Sequence, residues 1–197
     1  MTTSADSTTT ERRINLSRQL LVAMPGRVGD TFEHTVIYVC EHTENGALGL
    51  VINRPTDLLL GDLLQRLQLE LALEIGPVQS LPVCFGGPVQ TDRGFVLHAP
   101  GGSYSSSINL GDLALTTSRD VLHDVAQGKG PEHLLVTLGY AGWGAGQLEH
   151  EMSENAWLNV QANPDILFKV PYEQRYEAAL AQLGIDPVML AGDVGHA

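Results

Sequence analysis

Apolar positions along the chain come in short runs broken by glycine, proline and asparagine. Most runs are apolar on both alternating faces, as buried strands are. Residues 19–24 (QLLVAM) read as a strand stopped by Pro25-Gly26. In residues 35–42 (TVIYVCEH), Val36, Tyr38 and Cys40 would line one face and Ile37 and Val39 the other. Strict alternation puts His42 on the Cys40 face and Glu41 opposite. Thr43-Glu44-Asn45-Gly46 is a turn, and residues 47–53 (ALGLVIN) form the returning strand, so residues 35–53 are a buried hairpin. Pro55 is expected to end its pairing.

Leucines at helical spacing (Leu60, Leu63, Leu64, Leu67) predict a helix over 58–69. Residues 70–80 favour neither state. Short strands are expected at 83–85, 94–98 and 113–116. Thr117 and Asp120 form a loose capping box for a helix over 119–127 that ends at Gly128. A strand over 133–140 runs into a glycine-rich stretch, 139–146. A short helix over 147–155, a strand over 156–160 and a final helix from Pro171 to Gly184 follow. Helices mixed among hairpins, with no clean β-α alternation, indicate an α+β fold on a mixed, curved sheet. Residues 1–14 (MTTSADSTTTERRI) show no apolar period and read as a flexible tail, leaving 15–197 as one domain.

Composition narrows the possible partners. The chain has 197 residues, 43 % hydrophobic and 17 % charged, enough apolar material for a real core. Its net charge is −12. Such a field repels polyanions, which disfavours direct nucleic-acid binding and anionic membrane surfaces. Two cysteines do not make a disulfide framework. Neither a signal-peptide pattern nor an apolar run of about 20 residues is present, so a cytoplasmic protein is expected.

Four segments carry side chains or backbone suited to chemistry. Cys40-Glu41-His42 holds three reactive types at a strand end, but a lone Cys-x-His lacks the further ligands of a zinc site. The plain alternative is a buried cysteine followed by polar residues leaving the core. Asn53-Arg54 offers a guanidinium fork for an anion, or a polar strand end tied back to the backbone. Gly86-Gly87, with Asp92-Arg93 after it, permits close approach by a ligand, or simply a tight turn. Residues 138–149 (LGYAGWGAGQLE) place a glycine-rich turn before a helix, where free amides could bind an anion beside Trp143 and Gln147. Glu149 and Glu151 could equally occupy that helix end themselves. The glycine spacing is neither the dinucleotide nor the phosphate-loop fingerprint, so no cofactor and no metal are expected.

Together, residues 21–25 (LVAMP), 36–42 (VIYVCEH), 46–55 (GALGLVINRP), 86–89 (GGPV), 92–98 (DRGFVLH), 138–143 (LGYAGW) and 146–149 (GQLE) strongly resemble the YqgE/AlgH family, in the same order from about residue 17 to the final helix. The resemblance implies a bacterial cytoplasmic protein whose mixed sheet bends into a partial barrel flanked by helices. It supplies no enzymatic activity. One branch of the family is named for a proposed transcriptional regulator of alginate production.

The leading expectation is therefore a non-enzymatic regulatory protein that binds a small anionic ligand or a protein partner. Its site would lie where the ends of the Cys40 and Asn53 strands meet the Gly86 and Gly142 loops. Glu41, His42, Asn53, Arg54, Gly86, Gly87, Arg93, Trp143 and Gln147 would line it. One alternative is a hydrolase or transferase using Cys40 or His42 with Glu41 or Glu149. Another is a plain interaction module.

Overall fold

The computed structural model describes residues 14–73 and 75–191. Apart from Ile14, the tail expected over residues 1–14 lies outside the described residues. In chain order the elements are β1 (Gln19–Ala23), β2 (Val36–Thr43), β3 (Gly46–Val51), β4 (Pro55–Leu59), α1 (Leu60–Arg66), β5 (Pro82–Phe85), β6 (Val89–His98), β7 (Ser107–Asn109) and β8 (Ala114–Thr116). They continue with α2 (Asp120–Ala126), β9 (Leu134–Gly144), α3 (Gln147–Ser153), β10 (Trp157–Gln161), α4 (Pro164–Phe168), α5 (Arg175–Gln182) and α6 (Pro187–Ala191).

The sheet runs β10-β1-β2-β3-β9-β6-β8-β7, antiparallel throughout this path and curled into a half-barrel. β5 joins β9 in parallel and carries β4, which makes the α+β sheet mixed. β9 holds the two halves together. Its first residues pair with β6 from Leu134 to Tyr140, and its last pair with β3 from Ala141 to Gly144.

The expected hairpin is present, with Glu44 and Asn45 as its turn. Two expectations fail at glycine and proline. Residues 139–144 are strand rather than loop, and Gly139 together with Gly86 and Gly87 of the crossing segment lets the two backbones pass closely. A Cβ at Gly139 would strike the Gly87 carbonyl, and one at Gly87 would strike Tyr140. Pro55 opens a strand instead of ending pairing, which an edge strand tolerates because its missing N–H faces away from the ladder. The capping box is also absent. Asp120 takes bonds from the Ser118 hydroxyl, the Ser105 N–H and hydroxyl, and the Val121 N–H.

Three apolar cores flank the sheet. The first joins Tyr38, Cys40 and Leu50 to Leu167 of α4 and Leu180 of α5. The second, on the other face of the hairpin, joins Ile37 and Val39 to Trp143, Trp157 and Leu148 of α3. The third seats α1 and α2 against Val83, Val96 and Val136. Among the described residues, no helix is long and apolar enough to cross a membrane.

Candidate functional site

One extra residue in β2 decides which side chains meet. Val39 stands opposite Gly49 and Glu41 opposite Leu48, so Cys40 is a bulge. A bulge reverses the alternation beyond it. Cys40 stays with Tyr38 in the first core, while His42 crosses to the side of the second. The strict alternation that would place Cys40 and His42 on one face is thereby overturned. The Cys40 thiol is buried, and burial pushes its pKa well up, with the Glu41 charge adding to the rise.

His42 is the best-built polar group at this end of the sheet. Its side chain is 3 % exposed. Nδ1 accepts the Leu16 N–H at 3.1 Å, and the His42 N–H donates to Ser17 Oγ at 2.9 Å. With Nδ1 accepting, the ring hydrogen sits on Nε2. Nε2 lies 3.0 Å from Oε1 of Glu149, a half-exposed side chain on α3. The oxygen is nevertheless out of line with the N–H, so Nε2 has no hydrogen-bond partner among the described residues. The pair borders a cavity of about 460 Å³ that also touches Ile14, Asn15, Thr43, Glu44 and Gly146.

Trp143 and Gln147 stand beside this cavity in a separate network. The indole N–H groups of Trp143 and Trp157 both donate to Glu151 Oε2, at 2.9 and 2.7 Å. Gln147 donates to Glu151 Oε1 at 3.0 Å and accepts the Gly144 N–H at 3.0 Å. The Gly144 amide therefore does not stand open for an anion. Gly144 is capped by Gln147, and α3 has only seven residues. On the opposite face of the hairpin, exposed Glu41 edges a shallow cleft of about 410 Å³ with Leu48, Val89, Tyr140 and Trp143.

The remaining expected residues lie elsewhere. Asn53 and Arg54 follow β3, whereas His42 stands beside its start. The six residues of β3 separate the two ends by roughly 20 Å. Asn53 bonds the Val36 N–H at 2.9 Å and the His34 carbonyl at 2.8 Å. Arg54 donates to the carbonyls of Thr31 and Glu33. Gly86 exchanges backbone bonds with Val51 and Leu138, both at 2.8 Å, and Gly87 crosses Tyr140. Arg93 sits on an exposed bulge of β6, over the Phe95 ring and bonded to Gln90. The site expected where all four segments converge is therefore not formed. Glu41, His42, Trp143 and Gln147 gather at the hairpin turn, joined by Leu16 and Glu149. Asn53, Arg54, Gly86 and Gly87 brace the far end. The Leu16 contact had no sequence signal, because it is a backbone N–H reached across 26 positions.

Comparison with known proteins gives a consistent picture. An AlgH-like family model matches residues 20–188. A UPF0301 protein of Bordetella avium is 67 % identical over 94 % of this chain and 93 % of its own length. A UPF0301 protein of Ralstonia nicotianae is 58 % identical over 93 % and 96 %. The solution structure of the AlgH protein from Pseudomonas aeruginosa superposes with a TM-score of 0.75 at 49 % identity, covering all of both chains. A crystal structure of a protein from Corynebacterium diphtheriae, at TM-score 0.69 and 18 % identity over 91 % and 92 % of the two chains, shares the fold.

Proposed function

This chain belongs to the AlgH-like family, and we propose that it acts as a non-enzymatic cytoplasmic regulatory protein, with the cavity at His42 and Glu149 as its ligand site. One observation carries the reading. A buried imidazole offers an N–H without an aligned acceptor, directly beside a carboxylate, at the edge of a cavity. A buried donor left unmatched costs stability, so a ligand that matches it gains affinity.

The same geometry favours binding over catalysis. The Nδ1 lone pair is taken by Leu16 and Nε2 carries the hydrogen, so neither ring nitrogen is placed to accept a proton from a substrate. Cys40, the nucleophile of the alternative reading, belongs to a different core. The donor-acceptor pair defines the ligand. It must accept from Nε2–H and donate to Glu149, as a hydroxyl or a carboxamide does. With Glu41, Glu44 and Glu149 all at this end of the molecule, a neutral polar ligand fits better than the small anion expected from the glycine-rich loop.

Native mass spectrometry of the protein purified gently from its own host tests the idea. An adduct that is lost on denaturation, and is missing from a folded His42→Phe variant, supports the site. A bare wild-type chain under the same conditions sinks it and turns attention to a protein partner.

A further inference from the structure

A second hollow, unrelated to His42, lies where the two ends of the curled sheet come together. β10 ends the strand path on one side and the β7–β8 hairpin on the other. Gln161 of β10 and the hairpin turn at Leu110–Leu113 border the same space, about 310 Å³, floored by Leu167 of α4. Mouths of β-barrels are habitual ligand sites, and this volume suits a very small ligand.

Three polar side chains there form no hydrogen bond or ion pair among the described residues. Tyr38 is 1 % exposed, yet its hydroxyl makes no hydrogen bond among the described residues while its side chain lines the hollow. Arg18 and Asp112 are exposed on the rim, and among the described residues neither forms an ion pair. Both charges are felt at the phenol. Burial raises the Tyr38 pKa most, Arg18 draws it down and Asp112 pushes it further up.

Arg18 is also held in an uncommon backbone conformation, with φ at 66°. Its N–H is tied to the Val39 carbonyl at 2.7 Å. Its guanidinium rests against Gly111, where a Cβ would lie 2.9 Å from Nη1. Non-glycine residues in this region persist when their surroundings hold them, and they concentrate at functional positions.

A rim with one cation and one anion beside a phenol, above an apolar floor, is complementary to a zwitterion with an apolar tail. We propose that this hollow binds a free apolar α-amino acid. Its carboxylate meets Arg18 and Tyr38, its ammonium meets Asp112, and its side chain rests on Leu110, Leu113 and Leu167. Charge-assisted bonds at both ends give the recognition, and the leucines select against polar side chains.

Calorimetric titration of the full chain with each of the common free amino acids, at millimolar concentration and neutral pH, tests the assignment. Saturable binding of an apolar amino acid is expected. Arg18→Ala and Asp112→Asn should each weaken it roughly tenfold or more, with the circular dichroism spectrum unchanged because both side chains are exposed. The N-acetyl and carboxamide derivatives of the best binder, each lacking one charge, should weaken similarly. No binding by any amino acid overturns the proposal. So does equal binding by both variants, or equal binding of the N-acetyl derivative.

Discussion

Cys40 and His42 are two positions apart on one strand, yet they face opposite sides of the sheet. The bulge between Val39 and Glu41 separates them. It leaves the thiol among Tyr38 and Leu50 and sends the imidazole to Leu16 and Glu149. A cysteine-histidine couple, the simplest enzymatic reading of the segment, therefore does not form.

Neither thiol is expected to react in the folded state. Burial pushes the Cys40 pKa well up, and burial also raises that of Cys84 to about 12, against a smaller opposing effect of Arg175. A colorimetric thiol reagent at about pH 8 should label no cysteine until urea is added. Fast labelling of Cys40 without urea would return the nucleophile to consideration. A raised folded pKa gives stability that is complete below the ordinary thiol value of 9.0 and fades as pH climbs toward about 12. Chemical-denaturation midpoints should therefore fall across that alkaline window, and fall less in Cys84→Ala.

Removing the imidazole should cost more than removing its carboxylate neighbour. His42→Ala strands the Leu16 N–H in the interior, a loss of about 1–3 kcal/mol. Glu149 is half-exposed and out of line with Nε2–H, so Glu149→Gln should cost under about 1 kcal/mol. Urea unfolding of the two variants decides the point. Equal losses would make the pair a structural clasp rather than a ligand site.

Gly87→Ala should be among the most damaging single substitutions. A methyl group there runs into the Tyr140 carbonyl carbon and oxygen, both backbone atoms that cannot swing aside. Overpacking of this kind costs about 3 kcal/mol or more, visible as a lowered melting temperature or as insoluble protein. Gly94→Ala is the matched control, since nothing lies within 4 Å of its added carbon.

Acid sensitivity should trace partly to Asp120. The Ser118 hydroxyl, followed by bonds from Ser105 and Val121, lowers its pKa to about 2. A depressed folded pKa gives stability that is present above the ordinary value of 3.8 and is lost as pH falls toward about 2. Melting curves of Asp120→Asn should show a shallower decline across that acid range than the wild type.

Local sequence carried the strands well, because their cause is local. Runs such as TVIYVC need cover on both faces wherever they lie, and the hairpin turn at Glu44 and Asn45 follows from its own residues. The bulge at Cys40 left no trace, since nothing in VCEH distinguishes a regular strand from one carrying an extra residue. Gly139, Gly142 and Gly144 looked like loop because glycine is poor in isolated strands. Of the three, Gly139 admits a close crossing, by the backbone of Gly87 far away in the chain. Asn53 and Arg54 looked chemically capable, and the fold spends their polarity on backbone groups at Val36, His34, Thr31 and Glu33. Pairing of Trp143 and Trp157 through one carboxylate needs two strands and a helix, so spacing alone could not show it.

That last arrangement gives the molecule an intrinsic optical probe. The chain contains two tryptophans, and both indoles are bonded to Glu151. All of its tryptophan fluorescence therefore originates at one carboxylate on α3, two positions from Glu149. A ligand that displaces Glu149 and shifts α3 will change the emission of both rings together, with no third indole to dilute the signal. The first chemistry to reach His42 can be followed in unlabelled protein, at concentrations far below those needed for calorimetry.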